Sequence, residues 1–301
     1  MYSRMLIPLD GSKTAEKVLP YARSLAKKLK IPVELMAVID IAEMAMHVSP
    51  ERARYLDTLV QEGIRSSQDY LGEIAQSFTG LSVKCTVDKG RAEDAIIESA
   101  AKSKDTLIAM ATHGRSGVKR WMLGSIAEKV LRGATNPLLL IRAEQEAQTQ
   151  GDAALKSVIV PLDGSDLAES VLPMITEMAK TLKLEVMLLR AYNIPANTYA
   201  GVEDYYAVNY EQIREEIKKE AQGYLERKVA ELKRNGIEAV SYLLPEGYAA
   251  DEIIALGRKT PDNMIAMCTH GRSGVKRWVL GSVTEKVVRH SGDPVLVFRA
   301  P

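Results

Sequence analysis

The chain has 301 residues, 46% hydrophobic and 26% charged, the balance of a globular rather than a disordered protein, with room for two domains of roughly 150 residues each. Forty Lys and Arg stand against thirty-nine Asp and Glu, so a net charge of +1 draws it neither to nucleic acid nor to an anionic membrane. Cys85 and Cys268 are too few for a disulfide framework. The apolar run before Asp10 is too short for a signal peptide, and no stretch reaches the roughly 20 apolar residues of a membrane span. A cytoplasmic location is expected.

In chain order, the first half offers short apolar runs at residues 5–9, 33–39, 82–87, 106–111 and 137–141, read as five strands. They are continuous rather than alternating, the pattern of strands covered on both faces of a parallel sheet. Between the first two, Ala15, Val18, Leu19, Ala22, Leu25, Ala26 and Leu29 recur at three and four, one apolar stripe on one helix. Pro20 falls inside that predicted helix and is expected to kink it. Polar residues 144–155 read as a linker between domains at 1–143 and 156–301. The second half repeats the plan, with strands at 157–162, 185–191, 239–244, 263–268 and 294–298, and with Pro173 in the place of Pro20. Residues 211–235 read as an exposed helix with opposite charges three and four apart.

The halves are one sequence written twice. Ile7-Pro8-Leu9-Asp10-Gly11-Ser12 returns as Val160-Pro161-Leu162-Asp163-Gly164-Ser165. Thr112 to Trp121 returns unchanged as Thr269 to Trp278, and the match runs on to Arg132 and Arg289. Through that stretch the copies differ only at Met122/Val279, Ile126/Val283, Ala127/Thr284 and Leu131/Val288. A period this long is a domain duplication. Alternating strand and helix then gives right-handed crossovers and two α/β, doubly wound, Rossmann-like domains. Ligands of such sheets sit outside the carboxyl ends of the strands, where crossovers diverge.

The residues that follow the strands fit an anion. Gly114 lets the backbone pass close to a ligand or take positive φ. Gly124 opens a helix whose first N–H groups, at Ile126 and Ala127, favour a phosphate, and Ser125 is placed to cap that helix or donate its hydroxyl. A plain loop and helix cap is the alternative reading. Two other phosphate signatures fail. No G-x-G-x-x-G follows a first strand, and Gly11-Ser12-Lys13-Thr14 lacks the glycine spacing of a P-loop.

These residues resemble the universal stress protein family, over essentially the whole chain and twice. The carriers are the Pro-x-Asp-Gly-Ser start and a G-x2-G-x9-G-[ST] motif after the fourth strand. The resemblance implies adenine nucleotide alpha hydrolase-like domains, each a five-stranded parallel sheet of order 3-2-1-4-5, and many members bind ATP. It implies ATP (or AMP or ADP), with Mg²⁺, as ligand. Pro8 and Asp10 would lie beside adenine and ribose, Val38 would touch adenine through its backbone, and Met110 and Ala111 would flank the ribose. Gly114, Gly124, Ser125, Ile126 and Ala127 would hold phosphates. In the second half the matching residues are Pro161, Asp163, Ala191, Met267, Cys268, Gly271, Gly281, Ser282, Val283 and Thr284. Ala111 and Cys268 replace the motif's first glycine, and the Cys268 thiol is expected to crowd the ribose. Only Thr284 offers the first-turn hydroxyl; Ala127 lacks it. The resemblance also implies pairing of the fifth strands, here within one chain, and a homodimer.

Other residues have weaker claims. Arg115, Lys119 and Arg120, repeated as Arg272, Lys276 and Arg277, put cations beside the proposed phosphates, Arg with the bidentate geometry. Asp10 and Asp163 serve as ribose ligand, metal ligand through water, or turn cap. His113 and His270 stand without a nucleophile or carboxylate partner in their motifs, and read as structural supports. Trp121 and Trp278 anchor the loop. Tyr199, Tyr205, Tyr206 and Tyr210 form a cluster absent from the first copy, read as a lid, an interface or a packed loop. No residue is assigned to catalysis or to direct metal binding. The function expected is an ATP-binding regulatory protein; the alternatives are a slow ATPase or autophosphorylating enzyme and an interaction scaffold without nucleotide.

Overall fold

The computed structural model describes residues 2–46, 55–112, 123–142, 151–193, 210–269 and 280–299. In the first half the order is β1 (Arg4–Pro8), a 3-10 turn (Ala15–Val18), α1 (Leu19–Leu29), β2 (Val33–Ile39), α2 (Ile41–Met46) and α3 (Leu56–Ala75). It continues with β3 (Val83–Lys89), α4 (Ala92–Ala101), β4 (Thr106–Ala111), α5 (Ser125–Gly133) and β5 (Leu138–Ile141). The second half follows with β6 (Ser157–Pro161), α6 (Asp166–Glu169), α7 (Leu172–Leu182), β7 (Glu185–Leu189) and α8 (Tyr210–Arg234). Then come β8 (Val240–Leu243), α9 (Ala249–Lys259), β9 (Asn263–Cys268), α10 (Ser282–His290) and β10 (Val295–Phe298).

All ten strands join one sheet in the order β3-β2-β1-β4-β5-β10-β9-β6-β7-β8. Each half is parallel and carries the order 3-2-1-4-5. The two meet where β5 and β10 run antiparallel, with Leu139 opposite Leu296. This seam lies within the chain, as the resemblance implies. The C-terminal arginines bind across it. Arg299 Nη1 donates to the carbonyls of Arg132 (3.0 Å) and Ala134 (2.7 Å), placing a cation at the C-terminus of α5 in the opposite half.

The central strands are buried on both faces, which explains their unbroken apolar runs. One face packs under α1, α3, α7 and α8, through residues such as Leu25, Leu71, Ile175 and Leu225. The other packs under α4, α5, α9 and α10, through Ile96, Val130, Ile253 and Val287. Both layers run across the seam.

Two sequence expectations need correction. Pro20 and Pro173 do not lie inside a helix, because each sits in the first turn of its own, α1 or α7. A first-turn N–H has no intrahelical acceptor, so proline costs nothing there, and the preceding turn is a separate short element. Helix α8 is not solvated all round: Ala221, Tyr224, Leu225 and Leu232 bury a stripe against the sheet while the charges face outward. The described end of the linker is docked, since the N–H of Ala153 donates to the Pro20 carbonyl at 3.0 Å and Asp152 pairs with Lys27 at 2.9 Å. No helix among the described residues is long and apolar enough to cross a membrane.

Candidate functional site

The crevice in each half starts from a proline. Strand β1 pairs with β4 as far as Leu6 opposite Ile108, but with β2 as far as Pro8 opposite Met36. Pro8 has no N–H to continue a ladder, so β1 and β4 part at their carboxyl ends. The chain leaving β1 goes to the α1 face and the chain leaving β4 to the α5 face, which makes this the switch point of the sheet. Pro161 does the same between β6 and β9, whose pairing ends at Ile159 opposite Ile265.

In the first half the gap is a cleft of about 970 Å³. Pro8, Asp10, Val38, Met110, Ala111, Gly124, Ser125, Ile126 and Ala127 all line it. Gly114 and Arg115 lie outside the described residues, as do Lys119, Arg120, His113 and Trp121. Val38 is placed by register. The Leu9 N–H donates to the Met36 carbonyl at 2.8 Å, so Val38, two residues on, turns its N–H and C=O the same way, beyond the end of β1. Among the described residues, no neighbouring strand takes up that peptide edge.

Asp10 shapes the turn as well as lining the cleft. Its Oδ1 accepts from the Ser12 N–H (2.9 Å) and the Ser12 hydroxyl (2.6 Å), and Ser12 Oγ accepts from the N–H of Ala15 at 3.1 Å. Gly11, at φ +81°, supplies the left-handed turn between them. Asp163, Ser165, Ala168 and Gly164 repeat the arrangement.

At the opposite wall, the Gly124 N–H donates to the Thr112 carbonyl at 2.8 Å and closes the base of the glycine loop. Gly124, not Ser125, is the N-cap of α5, and as a glycine it offers that helix no side-chain cap. Ser125 is its first residue and faces outward. Gly124 has φ −61° and ψ 147°, a conformation open to any residue, so backbone strain does not require a glycine there.

Three residues of this cleft escape motif reading. Arg91 Nη2 and Lys129 Nζ both donate to Glu93 Oε1, each at 2.7 Å, at the mouth between the N-termini of α4 and α5. The Lys129 ammonium, opposed by partial burial, holds the Glu93 carboxyl below the ordinary range. Arg91 and Glu93 follow β3, and Lys129 lies one turn into α5, past the glycine motif. The one signal is the cation beside Gly90, a glycine that recurs as Gly247.

In the second half, Pro161, Asp163, Ala191, Met267, Cys268, Gly281, Ser282, Val283 and Thr284 take equivalent places. Ala191 presents its peptide edge past the end of β6, since the Leu162 N–H donates to the Leu189 carbonyl at 2.8 Å. The Thr284 hydroxyl turns inward and donates to the Cys268 carbonyl at 2.9 Å, so its proton is used within the core. Ala127 is buried at the same position, and the two helix mouths present the same backbone. The Cys268 thiol is buried 3.7 Å from the Ser170 hydroxyl, packed against the α6 side of the sheet. Gly271, Arg272, Lys276, Arg277, His270 and Trp278 lie outside the described residues, as do Tyr199, Tyr205 and Tyr206.

A larger difference lies one residue before Ala191. Arg190 is buried, with its guanidinium 4.9 Å over the Tyr224 ring and its Nη2 2.9 Å from Glu220 Oε2. Tyr224 in turn donates to Glu169 Oε1 at 2.8 Å; burial first, then that carboxylate, push its hydroxyl well above the ordinary tyrosine range.

A duplicated, doubly wound sheet with a cleft at the first of its two switch points defines a tandem α/β protein of Rossmann-like type. The model of the Universal stress protein family matches residues 1–142 and again residues 154–299, and the chain belongs to that family. It is 30% identical over 151 residues to Universal stress protein MJ0531 of Methanocaldococcus jannaschii, covering 50% of this chain and 86% of that protein. It is 23% identical over 308 residues to Universal stress protein Rv2623 of Mycobacterium tuberculosis, covering 98% of this chain and 96% of that one. Among solved structures, a universal stress protein from Archaeoglobus fulgidus aligns over 99% of both chains with a TM-score of 0.72 at 22% identity, which establishes the shared fold.

Proposed function

We propose that this chain is an ATP-binding regulatory protein of the universal stress protein family, with the nucleotide lying across the carboxyl edge of the sheet. The observation that carries the reading is the first-half cleft, which combines a Val38 peptide edge lying past the end of β1 with a glycine-capped helix start at Gly124. The two features match the two ends of an adenine nucleotide. A peptide N–H and C=O side by side suit the donor and acceptor edge of adenine, while helix N–H groups and the dipole suit phosphate. Asp10 lies between them, suited to a ribose hydroxyl.

Mg²⁺ would arrive with the nucleotide. Among the described residues no three His, Cys, Asp or Glu gather as a metal site, so phosphate oxygens and water would supply most ligands. Binding would act by favouring one arrangement of the glycine loop over another, and so by changing the surface offered to a partner. The seam of β5 and β10 consumes a strand edge of each half. A homodimer of this chain therefore uses another surface.

The test is an equilibrium titration with Mg·ATP read by the fluorescence of Trp121 and Trp278, the two tryptophans of the chain. Saturable change is expected, and Gly114→Glu should abolish the part that arises in the first half. Silence at millimolar ATP would favour an interaction scaffold.

A further inference from the structure

We infer that the two crevices are inequivalent: the first takes the nucleotide, and the second is closed to it by the buried Arg190 side chain, paired with Glu220. The inference rests on the nucleotide reading and adds a choice of site to it.

The base end differs first. Aligning the copies puts Arg190 where the first half has Ala37, and Glu220 and Ile217 where α3 has Ser66 and Gly63. Ala37, Ser66 and Gly63 all line the first cleft. Their small side chains leave space on the α3 side of β2. In the second half that space holds a guanidinium bonded to Glu220 at 2.9 and 3.3 Å and stacked on Tyr224, the counterpart of Tyr70. Tyr224 is itself fixed by Glu169, which also takes Lys228 Nζ at 2.6 Å. A nucleotide entering there must displace a buried arginine stacked on Tyr224 and held at its outer end by the largely exposed Glu220 carboxylate, which costs the stacking and the charge-assisted hydrogen bonds.

The phosphate end differs too, and independently. Tyr248 stands in place of Arg91 and Ala250 in place of Glu93, while Lys286, the counterpart of Lys129, is diverted to Asp251 at 2.7 Å. Among the described residues, the paired cations held on one carboxylate beside the first helix mouth have no equivalent. Tyr248 instead puts a ring, 72% exposed, at that lip.

The deciding experiment is calorimetric titration of the intact chain with Mg·ATP, in the wild type, in Gly124→Glu and in the double variant Arg190→Ala/Glu220→Ser. One site per chain is expected in the wild type, with more than about a hundredfold loss of affinity in Gly124→Glu. The double variant should bind a second equivalent, because the space at the base end is restored. Two sites of similar affinity in the wild type would overturn the inference and leave the nucleotide reading intact. So would a single site that survives Gly124→Glu, since the nucleotide would then lie in the second half. Absence of binding in every variant would overturn the nucleotide reading, and the choice of site with it. Should the double variant not fold, wild-type stoichiometry and the Gly124→Glu result decide the matter alone.

Discussion

Leu139 and Leu296 face each other across the antiparallel seam, both almost wholly buried, and they lie in the layer of core that packs under α1 and α7. The packing of one half therefore depends on the other. Truncating Leu296 to Ala removes apolar contacts on both sides of the junction and should cost about 2 to 5 kcal/mol, as for other buried leucines. Denaturant unfolding followed by circular dichroism checks this. A loss of a few tenths would mean that the halves barely depend on the seam.

Thr284 gives a smaller, sharper case. Its hydroxyl serves the Cys268 carbonyl, so Thr284→Val keeps the shape and removes the donor. The expected cost is about 1 to 3 kcal/mol, the range for leaving a buried acceptor unmatched. Thermal unfolding of the variant reads it directly. An unchanged midpoint would show that the hydroxyl points elsewhere, toward the crevice mouth.

Glu93 makes a pH prediction. Lys129 and Arg91 hold its carboxyl below the unfolded value of about 4.3. A depressed carboxyl contributes stability that is present above that unfolded value and is lost as pH falls through the lower folded one. Wild type should therefore exceed Glu93→Gln in stability at neutral pH by about 1 kcal/mol or less, both cations being half-exposed. The difference should vanish as the solution is acidified below about pH 4. Paired melts across pH 3 to 7 test it, and a gap that widens on acidification would contradict the assignment.

Much of this was legible in the amino-acid order because the relevant signals are local. Runs such as Leu107–Ala111 and Leu138–Ile141 mark strands covered on both faces, and the doubled Pro-x-Asp-Gly-Ser and Gly-Ser segments mark strand ends and helix starts. Pro20 is misleading in sequence because it stands within one long apolar stripe, whereas the chain breaks the stripe into a turn and a helix and puts the proline at the start of the second. Arg190 was missed for a different reason. It lies where the copies have diverged, its partner Glu220 is thirty residues on in α8, and only three-dimensional register sets the pair opposite Ala37 and Ser66. Arg91, Glu93 and Lys129 likewise come from two helices that share no motif.

The most direct measurement on the central claim is a Mg·ATP titration of isotope-labelled protein followed by backbone amide resonances. The account predicts saturable shifts at Val38 and at Ser125, Ile126 and Ala127, at the two ends of the first-half cleft and with one common affinity. Saturable binding that leaves those four amides unmoved would contradict it.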